Sequence, residues 1–390
     1  MQNLPPDEEG FADGIVATVT YEAPLPQKKD FLPWHRPRKQ FVRHHQWCEQ
    51  IEALLSEIQA NTTALRYLGL PGVDLLDLRY FHDQVCQPRQ IPLKFLGFNS
   101  GANPLSNAQT ELNISLHEVR KLQFVDPISE VIGDNFCLMA NESSFAWDRT
   151  KEFGPYDVIN LDLCDGFGIH APGVLEDTHY NAVSRLLSLQ AKNKNPWLML
   201  ITTRTGQEHV HADVLQIFLQ KFLDNLQVCQ TFQQASAEKF AIADEAALRA
   251  AADSSRGVAT IFLTGLCKWL AGLAIGHASK IEVKSVIGYR VLPEAEHEDL
   301  VSIALKFEPT FVPAPDALGL ANQQPNPPDE CTLATRAIKR LAKCVDADAV
   351  LAANADLNKA MTDGTARLLE LARYDVQEFY AWLANPATPA

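Results

Sequence analysis

No short catalytic signature announces itself in this 390-residue chain. Its eight cysteines include no C-x-x-C pair, which excludes a zinc knuckle or a thioredoxin-type redox pair. Cys48, Cys86, Cys137, Cys164, Cys229, Cys267, Cys331 and Cys344 sit singly in apolar or helical stretches and read as reduced core thiols. Eleven histidines are present, but neither His44-His45 nor His209-Val210-His211 has a cysteine or carboxylate at zinc-ligand spacing, so no metal is expected. A G-x-S-x-G elbow and a P-loop are both absent, and Cys164 has no base visible in the sequence. The first thirteen residues are acidic and proline-containing where an export signal needs a basic start and an apolar run; a cytoplasmic protein is expected. Long uncharged apolar runs are also missing. The one candidate, residues 258–278, carries Lys268 near its middle, a charge that costs about 2.5–3.5 kcal/mol on membrane-insertion scales. It reads as a buried helix, with no membrane partner.

What is present is enough apolar residue to bury one large core with an appendage: 46% hydrophobic against 21% charged. The net charge of −14 excludes general attraction to polyanions, so any nucleic-acid contact requires a local basic surface. Residues 28–45 provide one, with Lys28, Lys29, Arg36, Arg38, Lys39 and Arg43 against Asp30. Phe31, Trp34 and Phe41 interleave with these cations, the combination that stacks bases beside phosphate contacts. The same pattern also suits aromatics anchoring the segment to a core while its cations pair with an acidic body, or a protein partner in a complex.

After Pro37 the apolar spacing of Trp47, Ile51, Leu54, Leu55 and Ile58 predicts a helix to about residue 60. From residue 68 the pattern becomes short apolar runs, the mark of parallel strands covered on both faces. Five are expected, at residues 73–78, 93–98, 136–140, 157–163 and 197–202, with a helix at 181–192 as the crossover between the last two. A strong amphipathic helix at 209–227, an alanine-rich stretch at 235–252 and the 258–278 helix follow. Runs at 281–292 and 300–307, joined by a loop too short for a crossover, predict an antiparallel hairpin.

The organisation expected is an arm at 1–27, a basic helical segment at 28–64, an α/β domain at 65–309 with a helical insert at 235–278, a Pro/Asn/Gln-rich linker at 310–330 and a helical satellite at 331–390. The fold class is a doubly wound, mostly parallel seven-stranded sheet ending in an antiparallel hairpin. That element order resembles the class I S-adenosylmethionine-dependent methyltransferases across roughly residues 65–309. The run from Tyr156 to Gly168, with Asn160, Asp162, Asp165 and Gly166, is similar to the family's fourth-strand motif beside the substrate. The resemblance implies S-adenosylmethionine as cofactor and a glycine-rich turn after the first strand. The expected first strand instead runs into Leu76-Asp77-Leu78-Arg79, with Gly69 and Gly72 ahead of it, and Asn99 stands where an acidic residue usually holds the cofactor ribose. Residues 31–43 also resemble an uncharacterised bacterial family of the kind found in phage-defence islands.

Ligands of open α/β sheets lie beyond the carboxyl ends of the strands. The resemblance therefore directs Asp77, Arg79, Asn99, Asn141 and Glu142 toward cofactor and Asp162 and Asp165 toward catalysis. Thr203 and Arg204 share that edge as anion contacts or helix caps. Asp162 is either a ligand group or half of a structural ion pair; Asp165 with Gly166 also fits a plain turn. Arg336, Lys339, Arg340 and Lys343 share one helix face, either solvated or a docking face for nucleic acid or protein. The reading that results is a methyltransferase-like protein with an impaired cofactor loop, a pseudoenzyme in a bacterial nucleic-acid-associated assembly, plausibly anti-phage. Its alternatives are an active methyltransferase and a nucleotide-sensing or partner-binding module.

Overall fold

The computed structural model describes residues 29–58, 63–101, 107–163, 165–173, 177–291, 297–310, 318 and 329–385. Two compact units divide the chain, residues 1–31 and residues 32–390, and the architecture below is that of the second. Eight strands form one sheet: β1 (Leu65–Gly69), β2 (Leu93–Phe98), β3 (Glu130–Ile132), β4 (Val158–Asp162), β5 (Trp197–Arg204), β6 (Ser279–Tyr289), β7 (Leu300–Pro309) and β8 (Val345–Asp346). Their order is β3-β2-β1-β4-β5-β7-β6-β8. Only β7 runs against its neighbours, β5 and β6; every other pairing is parallel. This is the α/β class and the terminal hairpin expected, with β8 added as an eighth strand.

Burial on both faces explains the apolar strands. Seven consecutive residues of β5, from Trp197 to Thr203, are buried, so the strand carries no polar alternation. The two remaining parallel strands fall elsewhere than expected. Residues 73–78 are a turn leading into α3 (Leu76–Phe81), and β1 lies ahead of them. Every residue of α3 is buried, so it lacks the one-sided period that marks a surface helix, and a short apolar run does not by itself separate helix from strand. Residues 136–140 form a 3₁₀ turn whose first amide, that of Cys137, donates to the Asn135 side chain at 2.8 Å; β3 precedes it.

The basic segment opens a composite helix: α1 (Pro37–Val42), a π-helical turn (Arg43–Cys48) and α2 (Glu49–Ile58). Around the sheet follow α4 (Gln87–Arg89), α5 (Asn107–Arg120), α6 (Phe145–Phe153), α7 (His179–Gln190) and α8 (Ala212–Val228). The alanine-rich stretch holds α9 (Gln230–Phe240) and α10 (Glu245–Ala251). The apolar helix α11 (Ser255–Gly276) is long and apolar enough to cross a membrane, yet it packs as a core helix against α8, β6 and the helix at Glu330–Leu341. Its Lys268 donates to Asn225 Oδ1 at 2.6 Å and to the Lys221 carbonyl at 2.8 Å.

The C-terminal helices α12 (Glu330–Leu341), α13 (Ala347–Ala353), α14 (Ala355–Leu371) and α15 (Val376–Ala384) lie on this same body. Helix α12 packs on α11, α9 and β6, while α13 and α14 pack on α1. Cys229, at the junction of α8 and α9, is disulfide-bonded to Cys331 in the first turn of α12, with a Cα–Cα distance of 5.8 Å. The all-reduced reading is corrected here: the partners are 102 residues apart, a separation no local spacing reveals.

Candidate functional site

The shift of β1 changes the cofactor edge. Because β1 ends at Gly69, the turn of residues 70–75 directly follows it: Gly69 closes the strand and Gly72 lies in the turn, so neither precedes the strand. At Gly69 a Cβ would lie 2.6 Å from the Tyr67 ring; at Gly72 it would meet nothing within 4 Å, so the turn borders open space. Asn99, past the tip of β2, donates from Nδ2 to the Pro71 carbonyl at 2.9 Å and accepts from the Gly101 amide at 3.0 Å. Its amide therefore holds the shape of the glycine turn.

Beside the turn lies a buried polar layer between the sheet and α1. Asp77, in the first turn of α3, accepts from Arg43 Nε at 2.6 Å. Asp162, at the tip of β4, accepts from Lys39 Nζ at 2.6 Å. Lys39 also faces the Trp47 ring at 4.4 Å and the Tyr289 hydroxyl at 3.4 Å. Burial alone pushes the Lys39 ammonium down, but Asp162, Tyr289 and Asp77 more than offset this and raise it above its ordinary value. Burial likewise drives the Tyr289 phenol up to about 12. Tyr67 on β1 and Asn160 on β4 complete the layer, and burial followed by the Asp77 charge holds the Tyr67 phenol well above its usual range. Arg43 Nη1 is buried with no hydrogen-bond partner among the described residues. The layer thus holds two ion pairs, Lys39–Asp162 and Arg43–Asp77, with one guanidinium nitrogen to spare.

Other expected site residues are spent on structure. Arg79 donates to Glu118 at 2.6 Å and to the Asp74 carbonyl at 3.0 Å. Asn141 and Glu142 were expected at a strand tip; with no strand at 136–140 they occupy a turn, where Asn141 accepts from the Ser143 amide and Glu142 pairs with Arg185 at 2.6 Å. Thr203 accepts from the Phe167 amide at 2.7 Å, and Arg204 pairs with Asp299 at 2.8 Å. Asp165 is exposed in the loop past β4. Asp134, half-buried just past β3, is the edge carboxylate the sequence reading missed; it became visible only once β3 moved to Glu130–Ile132.

The basic segment faces inward. Lys39 and Arg43 are buried in their ion pairs, Arg36 lies 4.5 Å over the Trp382 ring, and Arg38 is 3.4 Å from Asp348. Trp34 is exposed, Lys29 belongs to the first unit, and Lys28 lies outside the described residues. Arg336, Lys339, Arg340 and Lys343 behave differently: all are exposed, and none forms an ion pair with a described residue. They line a groove of about 430 Å³ with Lys280, Lys306, Glu282 and Glu308, and Arg340 and Lys343 continue into a second hollow of about 320 Å³ bounded by Lys284, Phe41 and His45.

A further cluster lies past β3 and β4. Cys137, His170 and His179 bring their ligand atoms within 4.8 Å of one another. Burial, then the neighbouring His170 charge, pushes the His179 imidazole down to about 4, and burial followed by the Asp177 charge raises the Cys137 thiol to about 12. Spread over a 3₁₀ turn, a loop and a helix start, the trio has no sequence spacing that would expose it.

A mostly parallel sheet of this strand order, closed by an antiparallel β7, is a methyltransferase-like fold. The chain belongs to the family described as PP_RS20740-like, whose model matches residues 28–384. No curated protein matches it. Among solved structures it is similar to a Listeria monocytogenes protein assigned to the class I S-adenosylmethionine-dependent methyltransferases, at 12% identity and TM-score 0.33, over 74% of this chain and 72% of that one. A modification subunit assigned to a type I restriction enzyme of Vibrio vulnificus is similar at 11% identity and TM-score 0.29, over 70% of this chain and 48% of that one.

Proposed function

We propose that the protein is an S-adenosylmethionine-dependent methyltransferase acting on a nucleic acid. The observation that carries the reading is the turn directly after β1, entered from Gly69 and holding Gly72, with open space beside Gly72. The impaired-loop reading rested on glycines preceding the strand, and that premise does not survive. When bound, the cofactor supplies an electrophilic methyl group. Arg43 and Lys39 would face its carboxylate, Asp77 and Asp162 its ammonium, and Asp134 is the carboxylate free to meet its nucleoside hydroxyls. Asp165, exposed in the loop past β4, would take the proton an acceptor nitrogen or oxygen releases.

Gly72 offers a clean test, because its backbone is not in the left-handed region and a side chain there touches nothing. Calorimetric titration of the full chain is expected to show saturable micromolar S-adenosylmethionine binding. Gly72→Val should weaken it at least about tenfold, or 1.4 kcal/mol, at an unchanged melting temperature. A flat titration of the wild-type chain at millimolar ligand removes the proposal.

For the acceptor, the support is the α12 face. Its four cations, unpaired among the described residues, line a track along β6 that ends at Phe41 and His45, next to the helix bearing Lys39 and Arg43; Lys280, Lys284 and Lys306 border it but are paired with Glu308, Glu282 and Glu57. Single-stranded DNA should therefore bind with strong salt dependence. The double variant Arg336→Ala/Arg340→Ala is expected to lower the slope of log K against log salt by about 1.4, roughly 0.7 per lost phosphate contact on a single strand. An unchanged slope would detach the groove from nucleic acid.

A further inference from the structure

We infer that Cys137, His170 and His179 bind one divalent transition-metal ion, with zinc the best chemical match. Three separate pieces of chain converge: Cys137 on the 3₁₀ turn after β3, His170 in the loop after β4, and His179 as the first residue of α7. Cys137 Sγ is 3.9 Å from His170 Nε2, and the two imidazole centroids are 4.5 Å apart. Around a tetrahedral zinc, sulfur–nitrogen ligand separations are about 3.6 Å and nitrogen–nitrogen separations about 3.3 Å. Side-chain rotation closes the set.

A second observation points the same way. His179 Nδ1 is buried with no hydrogen-bond partner among the described residues, a vacancy that costs about 1–3 kcal/mol unless something fills it. The Phe167 ring stacks on His179 at 5.7 Å and 28°, fixing the plane of the imidazole. One thiolate with two imidazoles is a soft-to-borderline donor set that selects zinc, cobalt or copper over magnesium or calcium. Binding releases the thiol proton to solvent. Three protein ligands leave a fourth position for water or a substrate group, the pattern of an open rather than a closed structural zinc site. The site lies past the tips of β3 and β4, the same edge as Asp134 and Asp165, but it stands independently of whether S-adenosylmethionine binds.

Cobalt makes the site visible. The full chain, stripped with chelator, should take up one equivalent of Co²⁺ with the intense visible bands of a tetrahedral complex and a near-ultraviolet thiolate-to-cobalt band, and zinc should bleach both. Cys137→Ser should abolish the thiolate band. His170→Ala removes a half-exposed side chain, so it should keep the native circular dichroism while weakening the metal at least about a hundredfold, since outer-shell changes alone cost 10- to 100-fold. The proposal fails if the wild-type chain takes up no cobalt, if the thiolate band persists in Cys137→Ser, or if folded His170→Ala binds as tightly as wild type.

Discussion

Breaking the Cys229–Cys331 bond is expected to lower the melting temperature by on the order of 10 °C. The bond closes a loop of about 100 residues, which in the chain-entropy account is worth about 4.7 kcal/mol, and a domain of this class loses roughly 2–4 °C per kcal/mol. The native contacts change little. Helix α12 keeps Leu333, Ala334, Ala337, Ile338 and Leu341 buried whether or not its first turn is tethered. The effect therefore falls on the unfolded chain, which regains the freedom of α9 to β7. Thermal scans with and without reductant, beside a Cys331→Ser variant, measure it. Reduced wild type and Cys331→Ser should melt together, and both below the oxidised protein. Alkylation of both thiols in the unreduced, denatured chain, or a variant that melts with the oxidised wild type, contradicts the bond.

Asp162→Ala should cost about 3–5 kcal/mol, because it leaves the buried Lys39 ammonium without its ion-pair partner, facing the Trp47 ring, the Tyr289 hydroxyl and the more distant Asp77 charge. The reverse change, Lys39→Met, should cost less: Asp162 keeps 23% of its side-chain surface and can draw on water, whereas Lys39 keeps 4%. Adding Lys39→Met to Asp162→Ala should recover part of the loss, and denaturant titration of the four proteins reads the coupling directly. The pH dependence has a definite sign. The folded value of Lys39 is raised, so the pair's contribution is complete below the unfolded lysine value and declines as pH climbs through the folded one. A double variant no more stable than Asp162→Ala would rule out a stranded charge.

Much of the sheet was legible. The strands at residues 93–98, 157–163 and 197–202 and the hairpin match β2, β4, β5, β6 and β7 because double-sided burial writes continuous apolar runs. Two strands were displaced because short apolar runs imitate strands: Leu75–Phe81 is buried throughout, and Phe136, Cys137 and Met139 are buried in the 3₁₀ turn, while β3 has only three residues. That displacement carried the site with it, turning the glycine turn into a preceding loop and hiding Asp134. The cation count of residues 28–45 was equally plain, but whether Lys39 and Arg43 point outward depends on Asp162 and Asp77, more than thirty residues away. The Cys137–His170–His179 cluster and the disulfide are purely three-dimensional facts.

Strand β6 lies at the open side of the long sheet, and only Ile287 and Gly288 pair with the two-residue β8. An eleven-residue strand in that position would template pairing with another chain, the start of aggregation, if it were flat and apolar. Instead it carries Lys280, Glu282 and Lys284 along its first half, and its register breaks between Val283 and Ser285. Charges so placed disfavour edge-to-edge pairing of copies of the protein, whatever else the groove does. Replacing them would confound solubility with recognition, which leaves the α12 arginines and lysines as the positions where ligand affinity alone can be read.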